Sequence, residues 1–193
     1  MKKYELTEEV VNFCGIDLFR IRALKAFGDV GDGELGGFVE TEDNLSHEDN
    51  AWISGDAWVS GNAWVSGNAW VYGDAKVCGN AWVYGDAKVS GNAWVYGDAK
   101  VCGNAWVSGN AKVSGDADYA TAKGFGSQFR NTTFFRLKNG GVGVQCGCFY
   151  GTLAEFREKV KDTYPTNKKG KEYLMLADLM KCHFWDGENE GDA

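Results

Sequence analysis

Ala51-Trp52-Ile53-Ser54-Gly55-Asp56-Ala57-Trp58-Val59-Ser60-Gly61-Asn62 opens a run in which one six-residue phrase, A-(W/K)-(V/I)-(S/Y/C)-G-(N/D), recurs without insertion or slip to Ala117. Within the phrase, small and branched residues alternate with large and polar ones. Ala51 and Ile53 therefore face one side of an extended segment and Trp52 and Ser54 the other. The Gly-Asn or Gly-Asp pair that closes each phrase joins residue types that tolerate positive φ, so the chain turns a corner there. Strand and corner, repeated with no return hairpin, bury the Val and Ala face only if each turn stacks on the one before. The expected fold is mainly β, a parallel β-helix.

The phrases Val59-Ser60-Gly61-Asn62-Ala63-Trp64, Val77-Cys78-Gly79-Asn80-Ala81-Trp82 and Val89-Ser90-Gly91-Asn92-Ala93-Trp94 resemble those of hexapeptide-repeat proteins. That resemblance covers about half the chain. It implies a left-handed parallel β-helix, a triangular prism with three hexapeptides per turn, in which the first position is aliphatic and the fifth small. Counting back from Ala51 in sixes puts Leu45 and Val39 at the fifth position, and His47, Thr41 and Leu35 at the first. The coil is thus expected to begin near Leu35 in a degenerate form and to run over residues 35–118.

With three phrases per turn, residues eighteen apart stack at about 4.8 Å per step. The outer position then sorts into three columns: Trp52, Trp70, Lys88, Trp106; Trp58, Lys76, Trp94, Lys112; and Trp64, Trp82, Lys100. Each Lys has a Trp neighbour, and a lysine stem across an exposed indole contributes roughly 0.5–1 kcal/mol. Trp52, Trp58, Trp64, Trp70, Trp82, Trp94 and Trp106, with Tyr72, Tyr84 and Tyr96 beside them, form the candidate binding surface. So many outward indoles make a patch too apolar to leave in water, so flanking segments or other copies of the chain are expected to cover part of it.

The flanks read as caps, since an open β-helix exposes unpaired backbone at its ends. Residues 1–34 form an N-terminal β cap, with strands at Lys2 to Leu6 and Leu18 to Leu24, and a flexible lead-in at Gly28 to Gly37. That glycine-rich stretch lacks a Gly-Lys-Ser/Thr ending and is read as turns, not a phosphate loop. Residues 119–186 form a small α+β unit. Thr133 to Leu137 and Val142 to Cys146 flank Asn139-Gly140 as a hairpin. Thr152-Leu153-Ala154-Glu155 is a capping box before a helix with the stripe Leu153, Phe156, Val160, Tyr164. Tyr173, Leu176, Ala177, Met180 and Phe184 form a second stripe, and residues 187–193 an acidic flexible tail.

The net charge of −7 is uneven: twelve acids against five bases in residues 1–50, five against four in the repeats, and ten against eleven after residue 117. No basic stripe appears, which disfavours direct duplex nucleic-acid binding. No stretch approaches the roughly 20 apolar residues needed to span a membrane, and the N-terminus leads into charges. A cytoplasmic location is expected, with six free cysteines. Cys146 and Cys148 on one strand face, with Cys182-His183, sketch a metal site whose spacing fits no zinc pattern, and no metal is assigned.

The Lys-Tyr-Glu-Leu-Thr-Glu-Glu start, the Arg-Ala-Leu, Phe-Gly-Asp and Leu-Gly-Gly-Phe segments and the Cys-Gly-Cys-Phe turn resemble hexapeptide-repeat proteins of bacteria and their phages, often labelled acyltransferases. For the wider family the resemblance implies acyl transfer from acetyl-CoA in trimers, at sites between coils, with a histidine as base. Two histidines are present, His47 and His183. Counting in sixes gives His47 the place of an inward Val, a capping role, and it is the weak candidate for a catalytic base. The repeats between 51 and 117 hold no loop to house chemistry. The expected function is a non-enzymatic scaffold or binding protein without cofactor, a homo-oligomer with the trimer favoured. It would present its caps and Trp columns to a protein or small nucleotide partner, as a phage counter-defence factor in the host cytoplasm would. The alternative is a hexapeptide acyltransferase using acetyl-CoA at subunit interfaces.

Overall fold

The computed structural model describes residues 2–184. The residues expected to form the acidic tail, 187–193, and the end of the C-terminal unit lie outside them. The chain divides into two compact units, Met1–Asp116 and Ala117–Ala193.

The first unit begins with an antiparallel hairpin, β1 (Tyr4–Phe13) and β2 (Ile16–Ala23), followed by β3 (Leu35–Val39) antiparallel to β2. Eleven two-residue strands follow, one per phrase: β4 (Trp52–Ile53), β5 (Trp58–Val59), β6 (Trp64–Val65), β7 (Trp70–Val71), β8 (Lys76–Val77), β9 (Trp82–Val83), β10 (Lys88–Val89), β11 (Trp94–Val95), β12 (Lys100–Val101), β13 (Trp106–Val107) and β14 (Lys112–Val113). They stack in parallel into three walls, ordered β4-β7-β10-β13, β5-β8-β11-β14 and β6-β9-β12. The coil runs for about four turns.

The alternation in each phrase does what its side chains require. Every Ala and Val of the repeat, from Ala51 to Val113, is buried, as is Ile53. Backbone N–H groups donate one turn onward, Trp52 to the Ala69 carbonyl at 3.0 Å and Ser54 to Val71 at 2.9 Å. The corner glycines have positive φ, and at Gly73 (φ +73°) a Cβ would come within 3.1 Å of the Gly91 nitrogen in the next turn. Small size and left-handed backbone are both demanded there. The Asx residues beside them form ladders: Asn50 donates to Asn68 and Asn68 to Asp86, and on another corner Asn62 donates to Asn80 and Asn80 to Asp98. Each ladder segment ends on a carboxylate, which only accepts.

The cap and the coil share a sheet. Because β3 also pairs in parallel with β5, one wall continues through the hairpin as β1-β2-β3-β5-β8-β11-β14. The expected flexible lead-in ends in this strand. A Cβ on Gly36 would overlap Ile21 and Trp52, and one on Gly37 would overlap the Ala57 carbonyl, so both glycines serve close packing.

Counting in sixes fails before Ala51. Phe38 pairs with Trp58, Val39 with Val59 and Leu45 with Val65, all twenty residues apart, whereas Asn50 and Asn68 are eighteen apart. Val39 and Leu45 thus hold the inward aliphatic place, not the fifth position. Leu35, at the start of β3, pairs with Arg22 and is exposed. The two extra residues lie at one corner: Ser46 matches Ser66 and Asn50 matches Asn68, so His47, Glu48 and Asp49 stand where one glycine stands a turn later. Asp49 takes the left-handed backbone, with φ +53°. His47 is a corner residue and replaces no valine.

The second unit is a four-stranded antiparallel sheet, β15 (Tyr119–Phe125), β16 (Arg130–Arg136), β17 (Val142–Cys146) and β18 (Phe149–Thr152), followed by α1 (Leu153–Thr163) and α2 (Lys168–His183). The expected hairpin is β16–β17. β15 was hidden by its small residues and its irregular register near Gly124, and β18 by its direct run into the helix. Thr152 and Glu155 cap α1 reciprocally, at 3.3 and 2.7 Å. Phe134 and Val144 of the sheet meet Phe156, Val160, Tyr173, Ala177, Met180 and Phe184 of the helical segment in one core.

Candidate functional site: the outer walls and the His47 corner

The three outer columns stack in the register expected. Trp52 pairs with Trp70, Trp70 with Lys88 and Lys88 with Trp106; Trp58, Lys76, Trp94 and Lys112 follow on the second wall, and Trp64, Trp82 and Lys100 on the third. Lys88 lies over Trp106 at 5.5 Å, Lys76 over Trp58 at 5.5 Å and Lys100 over Trp82 at 5.8 Å. Lys112 lies over Tyr96 instead, at 5.8 Å. Two indole N–H groups find acceptors in the preceding turn: Trp94 donates to Cys78 Sγ and Trp106 to Ser90 Oγ.

The walls differ in how much of this surface remains open. Trp52 is 1% exposed, packed edge-on by Tyr4 and Phe27, so it belongs to the core under the cap and leaves the candidate binding surface. Trp58 is half-buried, with the Phe13 ring 5.0 Å away and Lys76 lying over Phe13 as well. Trp70, Trp106, Tyr72 and Tyr96 are half-buried. Trp94 is 38% exposed on the second wall. The third wall carries Trp64 at 37% exposure, Trp82 at 43% and Tyr84 at 36%, with the two indoles edge to face at 5.5 Å. It comprises only β6, β9 and β12, and the cap hairpin does not extend it.

At the head of that wall stands Asn44, where the next turn has Trp64. Its Nδ2 donates to the carbonyls of Gly61 and Ala63, both at 2.9 Å, and its Oδ1 accepts from the Thr41 N–H. The side chain thereby replaces ladder donors that the first turn lacks.

His47 stacks on Tyr4, with ring centroids 4.3 Å apart. Its Nδ1 accepts from the Lys3 backbone N–H at 3.3 Å, and its Nε2 lies 3.8 Å from Glu42 Oε2, beyond hydrogen-bond reach. Burial, only partly opposed by Glu42, holds its pKa below the usual histidine value. Beside it, the buried Lys3 ammonium donates to Ala51, Glu48 and Asp49 carbonyls, and burial lowers its pKa to about 8. One ring nitrogen is occupied and one ring face covered, which fits a pinned corner better than a free base. His183 ends α2, against Phe184.

The suggested metal ligands do not converge: Cys146 closes β17, Cys148 lies in the following turn, and no metal-holding cluster of His, Cys, Asp or Glu occurs among the described residues. No helix among them is long and apolar enough to cross a membrane. No local sequence pattern marks a cavity of about 230 Å³ within the second unit, lined by residues of β16, β17, β18, α1 and α2 and of the turns that hold Ser127 and Cys148.

Residues 57–73 match the repeat family described as YdcK beta solenoid repeat. The coil is a β-solenoid. The match spans about one turn, and the solenoid's remaining turns follow from its own pairing. No curated protein matches the chain.

Proposed function

We propose that the protein is a non-enzymatic binding scaffold that assembles with copies of itself, the trimer favoured, through the third wall of its solenoid. The observation that carries this reading is the exposure of Trp64, Trp82 and Tyr84 side by side on a flat wall with no interrupting loop. Aromatic residues on a preformed surface are the anchors that interfaces enrich, because they bury much area at little entropic cost. Such an assembly would offer its remaining surface to a protein or small nucleotide partner, a phage counter-defence role included.

The test is the solution mass. Light scattering on the full chain is expected to give a trimer, and Trp64→Glu with Trp82→Glu a folded monomer. A monomeric parent protein overturns the reading. The acyltransferase alternative is checked in parallel by calorimetric titration with acetyl-CoA. The scaffold reading expects no heat, and micromolar binding lost in His47→Ala would favour the alternative.

A further inference from the structure

We propose that the cavity in the C-terminal unit binds a small planar aromatic anion, a single ring carrying one carboxylate or phosphate. Its apolar lining comes from Val160 and four aromatic residues, Phe149, Phe156, Tyr164 and Tyr173, whose rings are in contact: Phe149 and Tyr173 each lie 5.6 Å from Phe156, and Tyr164 lies 6.1 Å from Tyr173. The charged residues that line it are Arg130 and Lys159, and no carboxylate among the described residues lines it. Aromatic walls beside two solvent-exposed cations, with no carboxylate among the described lining residues, suit an aromatic anion.

The arginines of this acidic chain make the absence of a counter-charge informative. There are five, and four meet carboxylates: Arg20 with Glu9, Arg22 with Glu5, Arg136 with Asp118 and Arg157 with Asp178. Arg130 has no carboxylate partner among the described residues. The basic residue in the last turn of α1 is Lys161, so Lys159 serves no helix end, and neither does Arg130 at the start of β16.

The site is also built by its glycines. A Cβ on Gly147 would overlap the Arg130 guanidinium, so the bare turn after β17 is what lets that side chain lie across it. A Cβ on Gly126 would overlap the Tyr173 ring, whose hydroxyl donates to the Phe125 carbonyl at 3.2 Å. The Ser127 and Tyr164 hydroxyls meet at 3.0 Å beside them. At about 230 Å³ the cavity lies below the usual range for drug-sized ligands, roughly 300–1,000 Å³, which excludes a dinucleotide or coenzyme A and leaves room for one ring.

Amide NMR of the full chain, titrated with phenyl phosphate, benzoate and benzyl alcohol, tests this. Saturable shifts at residues lining the cavity are expected from one or both anions and not from the alcohol, and the tighter anion identifies the headgroup. Arg130→Met is expected to weaken binding about tenfold, the loss of one charge-assisted contact. Arg130→Lys should retain part of it, and Lys123→Met, on β15, should change nothing. Because Cys148 lines the cavity and is exposed, the bound anion should also slow its alkylation by iodoacetamide and leave Cys14 of the first unit unaffected. Undiminished affinity in Arg130→Met, equal binding of benzyl alcohol, or no saturable shift at millimolar anion overturns the proposal.

Discussion

The Nζ of Lys3 donates to the carbonyl oxygen of Ala51, the first residue of the perfect repeat, at 2.8 Å. The second and third partners are the Glu48 and Asp49 carbonyls, so one buried ammonium ties the chain's start to the corner that holds the register shift. The ring of Phe27 lies 4.8 Å from the same nitrogen. A positive charge so placed is solvated by backbone dipoles in place of water.

Its titration gives a first prediction. Burial lowers the Lys3 pKa from 10.5 to about 8 in the folded chain. Between those values the unfolded chain keeps a proton that the folded one has lost, so this residue's contribution to stability rises with pH. Lys3→Met removes both donor and titration, and should cost about 1–3 kcal/mol from the unsatisfied carbonyls. In urea unfolding the gap between parent and variant should widen from pH 7.5 to pH 9.5, and a constant gap would contradict the assignment.

His47 titrates on the acid side. Its folded pKa lies below the ordinary 6.5, so stability from neutral His47 is complete above 6.5 and is lost as pH falls through the folded value. Protonation also removes the Nδ1 acceptor of the Lys3 N–H. His47→Asn keeps an acceptor there and cannot protonate. Its melting temperature should therefore fall less steeply than the parent's on acidification from pH 7 to pH 5.

Asn44 offers a test of edge capping. In Asn44→Leu the Gly61 and Ala63 carbonyls lose their donor, and about 1–3 kcal/mol of stability should go with it. Chemical denaturation measures this directly. An unchanged midpoint would mean that water replaces the amide without cost.

Two corner glycines separate backbone strain from crowding. Gly91 and Gly103 share φ +65°, but a Cβ on Gly91 would sit 2.9 Å from the Gly109 nitrogen, while one on Gly103 would meet nothing within 4 Å. Gly103→Ala should cost about 1–2 kcal/mol for the left-handed backbone alone. Gly91→Ala should cost clearly more, because the next turn has to move. Thermal unfolding of the two variants ranks them, and equal losses would remove crowding as a cause.

The coil was legible in the sequence because its determinants are local. Alternation within four residues fixes which side chains enter, Gly-Asn/Asp fixes the corner, and a constant period of six fixes the columns, so Trp70, Lys88 and Trp106 could be stacked by counting. Counting cannot see an insertion where the repeat has already decayed. The two extra residues at His47-Glu48-Asp49 thus displaced Leu45 and Val39 by one role.

What only the tertiary structure decided is where distant segments land. Trp52 has the same phrase around it as Trp82, yet one is 1% and the other 43% exposed, because Tyr4 and Phe27 pack against the first and no cap strand extends the wall of the second. Arg130 and Lys159 lie in separate elements, and nothing local marks them as neighbours of one cavity. A repeat states its own geometry many times over. A cap or a cavity is stated once, by residues that meet only after the chain has folded.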